Sequence, residues 1–306
     1  AARARNAGAA ALFARRHDLD YVQFLDGDTE VHPGAIAHAA DYLDHHPAVA
    51  VVCGRRRERA PEASVYNLLA DLEWDTPLGT AAEFGGDAMI RAAVFQRLEG
   101  YDARFIAGEE PEFAARIRLA GATGGGKIVR LNHEMTLHDL HMMHFYQWWK
   151  RCVRSGHAMA QLARAHGRVV LHGYVRRVRS VMFWTVAVPI AVVVLAALST
   201  WWVLVLLPLA GVVLAGRIAR HRVRRGDDLS AALTYGFFTA LGKFPEAWGI
   251  WTFYRHRLQR RQPVLIEYKA APPAVARCVG ANGGGDKWRR EGGPVNPESQ
   301  PLSNTT

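Results

Sequence analysis

Apolar and polar positions alternate between two regimes along the chain. Residues 1–16 are Ala-rich and predict a helix. Tyr21-Val22-Gln23-Phe24-Leu25 is a short, mostly apolar run and predicts a buried strand, with Asp26-Gly27-Asp28-Thr29 at its C-terminal end. A helix is expected over 34–45, ending before Pro47, and Val49-Val51-Val52 marks a second short strand. Segment 64–74 fits helix and strand equally. Residues 91–98 read as a helix stopped by Gly100, and 109–119 as a helix with an acidic start. A Gly-rich turn at 124–126 leads to the strand Ile128–Leu131. Strands and helices of these lengths in alternation predict an α/β domain with a largely parallel sheet.

The second regime begins at Val181. Residues 181–198 make one bilayer-length apolar run and 201–216 a second, slightly short one, broken at Ser199-Thr200 beside Trp201-Trp202. Arg176, Arg177 and Arg179 precede the pair; Arg217, Arg220, Arg222, Arg224 and Arg225 follow it. Basic flanks on both sides predict a transmembrane hairpin with both ends cytoplasmic. Segment 231–254 is apolar but carries Lys243, Pro245 and Glu246, so a pair of interfacial helices is expected there. Beyond Lys269 the Pro, Gly and polar content predicts disorder.

Charge sharpens this division. Residues 1–150 hold 16 Lys/Arg against 21 Asp/Glu, whereas 151–269 hold 18 against 4. The basic part coincides with the apolar runs, which favours anionic membrane lipid over nucleic acid as a partner. Cys53, Cys152 and Cys278 have no metal-site spacing and no evident pairing, which fits a reducing compartment. Ala1 opens directly into helical sequence without an initiator Met or a signal peptide, so an N-terminal truncation is expected.

Four clusters can carry chemistry. Asp26 and Asp28, one residue apart at a strand end, suit a divalent cation bearing a phosphorylated ligand; a polar turn capping the strand explains the same residues. Glu109 and Glu110 precede Pro111 at a helix N-terminus, where one of them suits a general base; ordinary helix-start charge is the alternative. His138-Asp139-Leu140-His141, with His133, Glu134 and His144 nearby, offers metal ligands or surface histidines, and His138 is the chosen ligand. On a helix, Gln147, Arg151 and Arg154 share one face able to grip a diphosphate or an acceptor phosphate. The alternative there is a basic amphipathic helix on lipid, anchored by Trp148 and Trp149. Gly121–Lys127 imitates a P-loop, but Ile128 stands where Ser/Thr is needed and the helix precedes the strand.

The order Arg5-Asn6-Ala7-Gly8, Asp26-Gly27-Asp28, Gly85-Gly86, Glu109-Glu110 and Arg116-Ile117-Arg118-Leu119-x-Gly121 resembles the family 2 inverting glycosyltransferases, over roughly residues 1–150. The resemblance implies a GT-A, Rossmann-like α/β domain, a nucleotide-sugar donor and Mg²⁺ or Mn²⁺. On it, Asp26, Asp28 and His138 hold the metal. Arg5, Asn6, Gly85 and Gly86 join the two aspartates in the donor-diphosphate site, and Glu110, beside Glu109, is the base. Family 2 enzymes place a first nucleotide-binding strand and helix ahead of the Arg-Asn-x-Gly segment, and these are not in this sequence. Gln147–Arg151 looks like a variant of the Gln-x-x-Arg-Trp signature of processive synthases, with Lys150 and Arg151 replacing Arg and Trp.

The expected organisation is a partial GT-A domain over 1–143, amphipathic interface helices over 144–180 and the hairpin over 181–219. A basic loop with interfacial helices follows over 220–269, then the tail 270–306. The expected function is inverting sugar transfer to a glycan or lipid-linked acceptor at the cytoplasmic face of the cell membrane, by resemblance in cell-surface or exopolysaccharide assembly. A processive synthase and a non-catalytic membrane scaffold are the alternatives.

Overall fold

The structure, a computed structural model, describes residues 1–121, 126–165 and 172–260. The expected disordered tail, the Gly124-Gly125 part of the expected turn and Cys278 lie outside the described residues. Helix α1 (Ala2–Arg15) leads into β1 (Tyr21–Gln23), β2 (Thr29–Val31), α2 (Ala35–His45) and β3 (Val49–Glu58). Then come α3 (Val65–Trp74), β4 (Gly79–Thr80), β5 (Ala88–Arg91), α4 (Ala92–Arg97), α5 (Glu109–Ala120) and β6 (Lys127–His138).

The strands form one sheet in the order β1-β5-β3-β6-β2, with β4 also paired to β6. Among the described residues only β3 and β6 pair in parallel, and every other pairing is antiparallel. The expectation of a largely parallel sheet is therefore corrected. Helix α2 does provide a crossover from β1 to β3, but the two strands are not neighbours. Strand β5 enters between them in the opposite direction, pairing Ile90 with both Val22 and Val51.

Side-chain alternation divides the core between the two sheet faces. Val22, Val51, Ile90 and Ile128 pack with Phe95, Phe113 and Ile117 on one face. Val52, Met89, Val129 and Met135 pack with Ala39 and Leu43 on the other. Strand β3 is longer than its apolar start suggested, because Gly54–Glu58 continue the pairing with β6 through register shifts. Gly54 makes this possible, since a Cβ there would lie 2.6 Å from the His133 carbonyl oxygen.

The second half is helical. Helix α6 (Phe145–Leu162) is followed by α7 (His172–Met182), a π turn (Phe183–Ala187) and α8 (Val188–Leu198). After a 3₁₀ turn (Trp201–Val205) come α9 (Leu206–Val223) and α10 (Leu229–Leu258). Gly173–Leu198 and Trp201–Val223 are long and apolar enough to cross a membrane, and the turn between them falls at Ser199-Thr200, with the Trp201 and Trp202 rings stacked 4.0 Å apart.

Segment 231–254 lies within one continuous helix of 30 residues, not the expected pair. Asp228 caps it by accepting from the Ser230 and Ala231 N–H groups. Pro245 is absorbed inside the helix and buried. Glycines bring α10 onto its neighbours: a Cβ at Gly249 would collide with the Val153 backbone, and one at Gly236 with the Ala215 carbonyl. Likewise Arg220 and Arg222 belong to helix α9, not to a basic loop. Arg222 is buried against Asp227 at 2.5 Å.

Candidate functional site

The carboxylates predicted from sequence converge at the C-terminal end of β1. Arg5 of α1 ties them together. Its Nη2 lies 2.6 Å from Asp26 Oδ1, and its Nη1 lies 2.7 Å from Glu110 Oε1 and 3.1 Å from Glu109 Oε1. Arg56 of β3 grips Asp26 from the other side at 3.1 Å and holds Asp87 at 2.7 Å. Asp87 also accepts from Thr136 Oγ1 at 2.6 Å and from the Asp26 backbone N–H at 3.3 Å.

This lattice of opposite charges sets the protonation states. Burial would raise the Asp26 carboxyl, but Arg56 and Arg5 outweigh it and hold Asp26 below the usual carboxylate range. Glu110 goes the other way. Burial and the adjacent Glu109 push its carboxyl up, against the opposing pull of Arg5. A carboxylate with raised proton affinity is better matched to abstracting a hydroxyl proton than a fully acidic one.

Glu110 is positioned by the start of α5. Gly108 at its N-cap has φ +85°, a left-handed conformation that glycine adopts without strain. Gly86 serves the cluster by being small: a Cβ there would lie 2.5 Å from Arg5 Nη2 and 2.6 Å from Asp26 Oδ2. Gly85 leaves room for Arg56, 3.4 Å from where its Cβ would stand.

Asp28 stands beside His138, with His138 Nε2 3.3 Å from Asp28 Oδ1. Asp26, Asp28 and His138 each present one ligand atom, all within 4.8 Å of one another. The His138 ring packs edge-on against Trp74 at 4.8 Å. Its Nδ1 is buried without a hydrogen bond, 3.9 Å from Glu58 Oε2. Two carboxylates and an imidazole fit a hard divalent cation of the Mg²⁺ or Mn²⁺ type, the nitrogen favouring the transition metal.

The other predicted residues divide. Arg151 and Arg154 line the same cavity of about 360 Å³ as Asp26, Asp28, Glu110 and His138. Arg151 also reaches Glu73 at 2.8 Å. Gln147 lines a neighbouring cavity with Asp28 and His141, but its Oε1 accepts from the Met143 and His144 N–H groups at 2.8 and 2.9 Å and caps α6. Asn6 is not brought to the carboxylates' charge lattice. Its amide donates to the Tyr101 carbonyl at 2.7 Å and accepts from the Tyr101 N–H at 2.9 Å, clamping the turn after α4. Trp148 is buried against Tyr66 and Phe238 rather than offered to lipid. His133 packs edge-on against His32 and tilted against His38.

Sequence reasoning missed Arg56, Asp87, Thr136 and Trp74. Asp87 follows Gly85-Gly86 directly, a signal the sequence did carry; Arg56 is the middle of Arg55-Arg56-Arg57, where a register shift between Arg55 and Arg56 leaves alternation no guide.

Residues 1–86 match the family model described as Glycosyl transferase family 2. The match covers Arg5, Asp26, Asp28, Gly85 and Gly86, and supports a glycosyltransferase. A domain of this family implies a nucleotide-sugar donor and an acceptor. No curated protein matches the sequence.

Proposed function

We propose that the chain transfers a sugar, with inversion, from a nucleotide-sugar donor to a hydroxyl of a glycan or lipid-linked acceptor, at the cytoplasmic face of the cell membrane and in cell-surface polysaccharide assembly. The observation that carries this reading is one cavity shared by Glu110, Asp26, Asp28, His138, Arg151 and Arg154. Asp26, Asp28 and His138 would hold Mg²⁺ or Mn²⁺, which supplies Lewis-acid neutralisation of the charge growing on the leaving diphosphate. Arg151 and Arg154 add guanidinium hydrogen bonds to the same diphosphate. Glu110 takes the proton of the acceptor hydroxyl as its oxygen attacks the anomeric carbon opposite the leaving group. Arg5 fixes the spacing between this base and Asp26, bridging both. A single displacement of this kind inverts the anomeric centre.

The cytoplasmic orientation follows from the arginines flanking the hairpin, with anionic lipid as their partner. The test uses the intact chain in lipid nanodiscs with a panel of nucleotide sugars. Product of opposite anomeric configuration to the donor is expected, lost in Glu110→Gln. Near-normal turnover in that variant would remove Glu110 as the base.

A further inference from the structure

Two further cavities meet at Lys243. The first, of about 570 Å³, lies between the start of α5 and helices α6, α7 and α10. Five cations line it, Arg151, Arg154, Arg176, Arg177 and Lys243, against the two acids Glu73 and Glu246. Arg151 is paired with Glu73 at 2.8 Å, and Arg177 lies 3.7 Å from Glu83. Arg176 and Lys243 form no salt bridge among the described residues. Burial pushes the Glu246 carboxyl up to about 7 against the opposing pull of the nearby Lys243. The cavity thus holds more cations than acids.

The second cavity, of about 810 Å³, is apolar and lies between the two candidate spans and α10. Trp184, Val188, Leu214, Phe237 and Phe244 line it, and Lys243 closes its polar end. A lysine suits such a boundary, because its stem packs with apolar groups while its ammonium stays with polar ones. In the other direction, the cationic cavity shares Gly108, Arg151 and Arg154 with the cavity of Asp26, Asp28 and Glu110. Apolar, cationic and carboxylate-lined spaces therefore follow one another in series.

Resting on the transferase reading above, we infer that the acceptor is an amphiphile that spans this series. Its apolar chain occupies the cavity between the spans, and its phosphate sits at Arg176, Arg177 and Lys243. Its accepting sugar hydroxyl, beyond the phosphate, reaches Glu110. A free phosphate compound would leave the apolar cavity without a role, a neutral lipid would leave the cations without one, and a soluble glycan matches neither. The step balances: the acceptor O–H bond breaks and its proton goes to Glu110. The freed oxygen bonds to the anomeric carbon. The carbon–oxygen bond to the donor diphosphate breaks, and its electron pair leaves with the nucleoside diphosphate.

The test measures binding to the full chain in phosphatidylcholine nanodiscs, without donor, so that it is independent of sugar transfer. The probes are a polyisoprenyl phosphate, the matching polyisoprenol, phosphatidylglycerol and inorganic phosphate. The polyisoprenyl phosphate is expected to bind at least about tenfold more tightly than the alcohol, the scale of one charge-assisted hydrogen bond. Lys243→Gln and, separately, the exposed Arg176→Gln are expected to remove most of that preference while leaving the alcohol unaffected. Equal binding of phosphate and alcohol, equal binding of phosphatidylglycerol, displacement by inorganic phosphate alone, or unchanged preference in both variants would overturn the inference. Failure of the underlying reading looks different: no nucleoside diphosphate is released from any of a panel of nucleotide sugars, whatever the lipid result.

Discussion

The carboxylate cluster at the end of β1 and the cationic cavity beside the hairpin handle charge in opposite ways. In the first, Arg5 and Arg56 answer Asp26, Asp87, Glu109 and Glu110 within 3.1 Å, so each of four carboxylates has a cationic partner inside the chain. In the second, Lys243 and Arg176 face a cavity with fewer acids, one of which, Glu246, has its carboxyl pushed up by burial. A self-matched cluster is preorganised and changes little when a substrate arrives. An unmatched one gains most of its stabilisation from the ligand. Chemistry suits the former and capture of an anion the latter.

The largest test of this contrast is Glu110, the proposed base. Glu110→Gln keeps the hydrogen bond to Arg5 but removes proton abstraction, and transfer is expected to fall about 10³-fold, within the usual range for a general base. Donor binding, measured by calorimetry, should change little. In the wild type, activity should fall as pH drops through the raised Glu110 value, so the acid limb of the rate profile lies above the ordinary carboxylate range. Removing the cation with Arg5→Gln destabilises the charged carboxylate and should move that limb higher still.

Asp28→Ala should lower transfer by about 10²-fold, the scale on which altered metal ligation acts. It should also weaken the metal dependence of donor binding while leaving the Arg5 lattice intact, because Asp28 is not among the carboxylates that Arg5 contacts. A variant whose donor binding stays fully metal-dependent would separate Asp28 from the cation.

Arg5→Ala probes matching itself. It leaves Glu109, Glu110 and Asp26 crowded without their shared cation, and a loss of about 3 kcal/mol in denaturant unfolding is expected. The smallest effect belongs to Asn6→Ala. Two hydrogen bonds to the Tyr101 backbone disappear, costing about 2 kcal/mol of stability. Turnover of the folded fraction should be nearly unchanged, which would distinguish a clamp from a donor contact.

How much of this the sequence disclosed depended on range. Local signals worked well: the β1 run, the break before Pro47, the acidic start of α5 and the Ser199-Thr200 turn each lie within a few residues of the structural boundary. Asp26, Asp28 and His138 were also reached, although 110 positions separate Asp28 from His138 in the chain. What hydropathy could not show was pairing. The polar half of β3, Gly54–Glu58, is strand only because β6 runs beside it, and Arg56 meets Asp87 only because β5 lies between β1 and β3. Helix α10 was misjudged for a related reason. Lys243, Pro245 and Glu246 interrupt the hydropathy, but glycine-mediated contact with α6 and α9 holds the helix through them.

Gly108 has a mechanical consequence. A Cβ there would stand 2.9 Å from Leu162 Cδ1, so the first turn of α5 is seated on the last turn of α6. Helix α6 is in turn locked onto α10 through Gly156 and Gly249. With the hairpin in a bilayer, this stack acts as a fixed post: the height above the lipid at which Glu110 stands is set by helix contacts, not by a flexible tether. A bulkier residue at 108 would push Glu110 off its post without changing any group of the carboxylate cluster.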